Sequence, residues 1–372
     1  MSPRLPDYVD DTKDQVYSQA SMAGGFGGLL ANSETVDRLL SEMDPADKKS
    51  LQSWYWFDWA NQAFALTVIT VVVPTLLSNM FNLANGGSAD YAGMTFTGDS
   101  FYAVVLGISS VFVAIVSPVL GAIADRMPIK KKVLKVYTVV GILFTGLMGL
   151  APYMDDNSSY KFLAVCLIMG NIGFAGGHAI YSAFLPYLGD KRLMDHISSW
   201  GYAYGFLGGC ILLTVHLAVG LRFGFENPDV QCFVFVTSAL WWLGFSVPMF
   251  RNTPEPEIPN PTEYPNVFEA VKDGLREIKS TFSEIRRYKV LSLFMCGYLL
   301  FYDGVNAIGG LAAAYADSVL RIDFTMNFVL LLSANIVAIP MTIIGASLAS
   351  KYGNKNILCL LYTSPSPRDS CA

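Results

Sequence analysis

Apolar residues fill this chain in blocks, and short polar stretches separate one block from the next. A helix crosses a bilayer with about 20 predominantly apolar residues. Eight blocks meet that length, over residues 53–80, 101–124, 133–153, 162–186, 199–220, 231–250, 290–316 and 325–349. A ninth begins at Ile357 and stops almost at once. One polar linker is long, over 251–289. It opens with Pro254, Pro256, Pro259, Pro261 and Pro265, an extended spacer. Phe268, Val271, Leu275, Ile278, Phe282 and Ile285 then recur at helical spacing, with Lys272, Arg276, Lys279 and Arg286 between them. Such a basic amphipathic helix either lies on the membrane surface or packs on the face of its own bundle. The pattern predicts an all-α polytopic membrane protein. A six-helix bundle spans 53–250, the linker follows, and a partial second bundle spans 290–358 with about two full helices and the start of a third.

Composition agrees. The chain has 372 residues, 53% hydrophobic and only 15% charged, with a mean hydropathy of +0.41. A soluble domain carries nearer 25% charged residues. A net charge of −5 gives no reason to expect a nucleic-acid partner. The six cysteines (Cys166, Cys210, Cys232, Cys296, Cys359 and Cys371) are scattered and read as small hydrophobes, with neither a disulfide framework nor metal spacing. No cofactor is implied. Residues 1–52 are polar and acidic, with a glycine-rich patch, and read as a disordered tail. Within it Val36, Leu39, Leu40 and Met43 are spaced for a short amphipathic turn. Residues 359–372 form a Ser/Pro-rich tail that cannot continue a spanning helix, so the second bundle reads as truncated.

Loop charge sets the expected orientation. Arg126, Lys130, Lys131, Lys132 and Lys135 lie between the second and third blocks, and Lys191 and Arg192 between the fourth and fifth. The linker after the sixth block is equally basic, and Lys351 and Lys355 follow the eighth. The opposite loops hold only Lys161, Arg222 and Arg321. Lys and Arg concentrate on the cytoplasmic side, so the N-terminus and the linker are expected there.

One short word occurs twice. The first block contains Phe57-Asp58-Trp59-Ala60-Asn61, and the seventh contains Tyr302-Asp303-Gly304-Val305-Asn306. Each places an acid and an amide three residues apart, on one helix face. A carboxylate at a helix centre in lipid costs about 2.5–3.5 kcal/mol on insertion scales, so it usually faces a polar interior. The repetition fits parallel repeats around a shared cavity. Asp58, Asn61, Asp303 and Asn306 are therefore candidates to bind substrate or a proton. A structural hydrogen bond between helices is the alternative for each. His178 is a further candidate for a proton relay, against a reading as a buried histidine bonded to a neighbouring helix. Tyr181 and Tyr204 are candidates to line the cavity.

The loop after the second block reads Gly121-Ala-Ile-Ala-Asp125-Arg126-Met-Pro128-Ile-Lys130-Lys131. It resembles the signature loop of the major facilitator superfamily, with Pro128 where a glycine is usual. The resemblance implies that Gly121 permits close helix packing and that Asp125, Arg126 and Lys130 belong to a charge network latching the cytoplasmic gate. A degenerate copy, Ala346-x-x-x-Ser350-Lys351-Tyr-Gly353, follows the eighth block. Further strings narrow the family: Asn171-Ile-Gly173-Phe-Ala-Gly176-Gly177-His178, Gly201-Tyr202-Ala-Tyr204-Gly205-Phe206-Leu-Gly208-Gly209 and Trp241-Trp242-x-x-Phe245-x-x-Pro248. With the Phe57–Asn61 word they resemble the autophagy-related vacuolar effluxers of that superfamily. The resemblance covers about residues 53–358. It implies a secondary transporter, embedded in the vacuolar or lysosomal membrane, that exports amino acids to the cytosol, with protons as candidate coupling ion. A facilitator of another cargo, such as a sugar or drug, and a non-transporting scaffold are the alternatives. No nucleophile elbow, metal cluster or phosphate loop points to an enzyme.

Overall fold

A computed structural model describes residues 36–357, apart from 92, 191–192, 259–266, 285–288 and 354–355. Side chains at 267–268, 277–278, 281–282, 284, 303, 305–314, 317–318 and 350 are also outside that description.

The first spanning helix, α1, runs Pro45–Asn85. Asp44 caps it by accepting from the Ala46 amide, and Pro45 is preorganised for a first helical turn. The middle of α1, Ala63–Val72, winds as a π-helix, and the Val73 amide reaches back to the Val68 carbonyl. Pro74 offers a cause: it has no N–H to give, and its ring crowds the carbonyl one turn earlier. Helical structure also begins earlier than the expected boundary at residue 53. A short helix covers residues 36–42, and Val36, Leu39, Leu40 and Met43 pack against a buried cluster containing Leu51, Phe184 and Leu188. Burial of that apolar turn overrides the polar composition of the tail around it.

Five helices complete the first bundle: α2 (Gly98–Ala124), α3 (Lys130–Met148), α4 (Asp156–Ser182), α5 (Met194–Phe223) and α6 (Pro228–Asn252). After the linker come α7 (Val267–Glu284), α8 (Lys289–Ser318) and α9 (Phe324–Tyr352). A two-stranded antiparallel hairpin, β1 (Ala89–Tyr91) with β2 (Met94–Phe96), sits between α1 and α2, with Asp90 opposite Thr95. Among the described residues seven helices, α1–α6 and α9, are long and apolar enough to cross a membrane. The seventh apolar block is α8, a 30-residue helix whose described apolar part is Lys289–Tyr302.

Close helix approach rests on glycine, as lipid-embedded bundles require. A Cβ at Gly173 of α4 would collide with the backbone of Gly141 on α3. Gly121 behaves otherwise than expected: a Cβ there meets nothing within 4 Å.

In the first bundle α1 packs between α5 and α6, α3 between α4 and α6, and α2 against α4. From the second half, α9 lies along α5, and α8 touches the π-helical part of α1. At the end of the molecule away from the basic loops, Phe225 meets Phe324 and Phe328, with ring centroids 5.0 Å and 5.3 Å apart. Phe328 is fully buried there.

The amphipathic helix α7 packs on the bundle itself. Ala270 is buried, and Gly274 rests against Val119 and Ile123 of α2. Of the two placements expected for it, the structure takes the second.

Candidate transport site

Asp58 and Asn61 both face inward from α1, each 2% exposed. The Asp58 side chain rests against α5, where a Cβ on Gly205 would lie 2.5 Å from its Oδ2. Glycine at that position is what admits the acid between the two helices. Oδ1 of Asp58 and Oδ1 of Asn61 have no hydrogen-bond partner. A buried carboxyl without a cation or donor is costly, so it is uncommon unless a bound group completes it. Gln62, half-buried, lies beside Asp58 against Gly205 and Gly209.

The aromatic residues around this acid divide into structural and accessible ones. Tyr181 is buried and packed against other aromatic rings, and Asp58 lies within its electrostatic reach. Its ring stacks on Trp54 with centroids 4.5 Å apart. Its hydroxyl donates to the Trp54 carbonyl at 3.2 Å, and Trp54 Nε1 donates to the Tyr181 carbonyl at 3.3 Å. The reciprocal pair locks α1 to the end of α4. Tyr204 stacks on Tyr55 and edges Trp56, part of an aromatic packet that includes Trp59, Trp241 and Phe245. Trp241 Nε1 donates to the Trp59 carbonyl at 3.3 Å.

Tyr202, two residues before Tyr204, takes the accessible role. It is 44% exposed, and Asp58, Tyr298 and Tyr302 are all within its electrostatic reach. Tyr298 and Tyr302 stack one turn apart on α8, both exposed. Sequence reasoning passed over Tyr202, Tyr298 and Gln62, because apolar residues surround each on its own helix. α5 meets α1 at Gly205, and α8 meets α1 farther along, from its π-helical part onward.

His178 is half-buried beside Phe174 and Tyr181, and its Nδ1 has no partner. Neither reading made from the sequence is decided by that. Asn171, two turns earlier on the same face of α4, instead donates to Ser109 Oγ on α2 at 2.7 Å. Asp303 and Asn306 lie within the helical span of α8, but their side chains fall outside the described residues.

The signature loop forms two separate links. Asp125 pairs with Lys130 at 2.8 Å, and the Lys130 ammonium also lies 4.9 Å from the centre of the Tyr187 ring. Lys130 is only 3% exposed, so this pair staples the α2–α3 turn to the end of α4. Arg126 reaches the other way, to Asp273 of α7 at 2.6 Å. Lys131 donates to the Thr253 carbonyl at 2.7 Å, and its amide donates to Glu255. The loop therefore ties the first bundle to the linker helix.

Seven described helices long and apolar enough to span a membrane, a signature loop of paired charges and a buried acid between helices fit a polytopic membrane transporter of the major facilitator type. The chain belongs to the family described as "Vacuole effluxer Atg22 like", whose model matches residues 46–363. It is 27% identical over 326 residues to a protein of Bacillus subtilis named "Uncharacterized MFS-type transporter YxiO", covering 83% of this chain and 70% of that one. It is 21% identical over 336 residues to "Autophagy-related protein 22" of Kluyveromyces lactis, covering 80% of this chain and 66% of that one. The protein of the same name from Vanderwaltozyma polyspora is 19% identical over 375 residues, covering 87% and 70%. The chain thus spans roughly two thirds of the length of these relatives.

Proposed function

We propose that this transporter exports neutral amino acids from a vacuole or lysosome to the cytosol, and that Asp58 is the group on α1 that binds. The observation that supports it most is the Asp58 carboxyl: buried, held against Gly205, with one oxygen unpartnered. A carboxylate there can take the ammonium of an amino acid or exchange a proton, with Asn61 and Gln62 supplying polar contacts. On this reading Tyr202, Tyr298 and Tyr302 form the approach to it. Asp303 and Asn306 are the proposed counterparts on α8, and His178 is a proposed proton-relay residue.

The basic loops then face the cytosol, as the distribution of Lys and Arg favours, and with them the N-terminus. The family name, vacuole effluxer, and the names of the yeast relatives support the organelle. Asp125, Arg126 and Lys130 serve as the cytosolic gate network, acting through the α2–α3 turn and α7.

Efflux of labelled amino acids from proteoliposomes tests the assignment. Asp58→Asn removes the charge and nearly preserves shape. Loss of a charge-assisted contact lowers transport by about tenfold or more. Unchanged efflux by the variant overturns the role of Asp58. Competition by unlabelled sugars, but not by amino acids, overturns the cargo while leaving the site.

A further inference from the structure

Between α2, α3 and α7 lies a cavity of about 600 Å³. Leu120 and Ile123 form one wall, Val133 and Val136 a second, and Ala270 and Val271 of α7 the third. Lys132 is the charged residue among those that line it. The cavity occupies the first two turns of α3, so it extends about 10 Å along the helix from the basic end. That places an apolar cleft just below the polar surface of the membrane, with a cation at its mouth.

The cations nearby fall into two groups. Arg126, Lys130 and Lys131 are engaged by Asp273, Asp125 and the Thr253 carbonyl. Lys132 and Lys135, one turn apart on α3, and Lys272, which follows Val271 on α7, are exposed. Among the described residues none of these three has an acidic partner. Beyond the cleft, Val139 and Leu143 continue the exposed line of Val136 along α3 at helical spacing. They extend the apolar surface toward the middle of the membrane.

We propose that the cleft binds an anionic phospholipid of the leaflet at the basic end, with an acyl chain between α3 and α7 and the headgroup on Lys132, Lys135 and Lys272. Charge complementarity selects this occupant. A neutral lipid would leave the three lysines unanswered, and a free phosphate would leave the apolar walls empty. Basic pockets between spanning helices on this side are a recognised way to hold acidic headgroups. The bound lipid would wedge α7 against α2 and α3, beside the Arg126–Asp273 pair. The inference rests on the membrane placement and not on the amino-acid reading, so the two can fail separately.

Native mass spectrometry of the full chain, extracted from phosphatidylcholine bilayers containing phosphatidylserine, tests it. The chain is expected to retain phosphatidylserine in preference to phosphatidylcholine. Lys132→Gln with Lys135→Gln lowers that preference by roughly tenfold, since each surface cation contributes a severalfold attraction to acidic lipid. Val133→Trp, which fills the cleft and keeps every charge, lowers retention as well. Soluble glycerophosphoserine at equal concentration does not displace the lipid. Equal retention of both lipids, retention unaffected by the lysine variants, or displacement by the soluble headgroup overturns the proposal. A cleft filled by another segment of the chain retains neither lipid, which overturns it too.

Discussion

Gly173 and Gly121 are both glycines inside spanning helices, yet the fold asks different things of them. Gly173 sits where the backbones of α3 and α4 touch, and a Cβ there has no room. Gly173→Ala must push the helices apart, at a cost of about 1–3 kcal/mol. Gly121→Ala fills open space and changes stability by less than about 1 kcal/mol, in the stabilising direction if helix propensity carries over. Thermal unfolding of the two variants in the same detergent separates them; equal shifts would contradict the packing described. The sequence shows both residues in helices and singles out Gly121, because the motif around it is known. It cannot show which helix face meets a neighbour. Asp58 was legible for the opposite reason. An acid in an apolar block stands out whatever faces it, and its burial follows from the cost of charge in lipid. Tyr202 was not legible, because a tyrosine among apolar residues fits lipid interface, packed core and cavity wall equally well.

At the scale of elements, the linker helix α7 is held on the first bundle, along α2. It is amphipathic in sequence, but its partner is set by pairings across long stretches of chain, such as Arg126 with Asp273. No local pattern encodes that contact. The apolar blocks, by contrast, mark where each span lies, because hydrocarbon thickness fixes helix length, although the first helix begins eight residues before its block, at Pro45. The π-helical stretch of α1 was also beyond reach, although Pro74 marks its end. Since Arg126 and Asp273 are partly exposed, 39% and 28% by side chain, their pair contributes only about 0.5–1 kcal/mol. Asp273→Asn is therefore expected to leave the bundle folded and loosen α7 alone. Hydrogen exchange checks this: amides over 267–284 should exchange severalfold faster, by about the factor that energy implies, while those of α3 and α4 stay unchanged. Faster exchange throughout the bundle would show instead that α7 is part of its core.

Across the whole molecule, the halves meet where α9 lies along α5 and where α8 touches α1. Phe225, Phe324 and Phe328 close the end away from the basic loops. Toward the basic end, Tyr202, Tyr298 and Tyr302 stand exposed. A transporter open toward its basic loops, with an aromatic seal on the opposite side, would place its aromatic residues in this way. Alternating access by rocking of two bundles requires that seal to part when the basic end closes. Phe328→Ala removes the most buried member of the seal, and loss of a buried phenylalanine costs about 3–5 kcal/mol. The balance should then shift toward opening on the far side. Tyr202→Cys, placed in a background with all six native cysteines changed to Ser, reports it through a membrane-impermeant maleimide. With Phe328 intact, labelling should proceed from the basic side and hardly at all from the other. With Phe328→Ala, far-side labelling should rise by about tenfold or more, because even a fraction of that energy moves a two-state equilibrium that far. If far-side labelling stays low while the variant remains folded, the aromatic contact is a fixed joint and the seal must lie elsewhere. If labelling from both sides is already equal with Phe328 intact, the exposed tyrosines face a passage that the Phe cluster does not close.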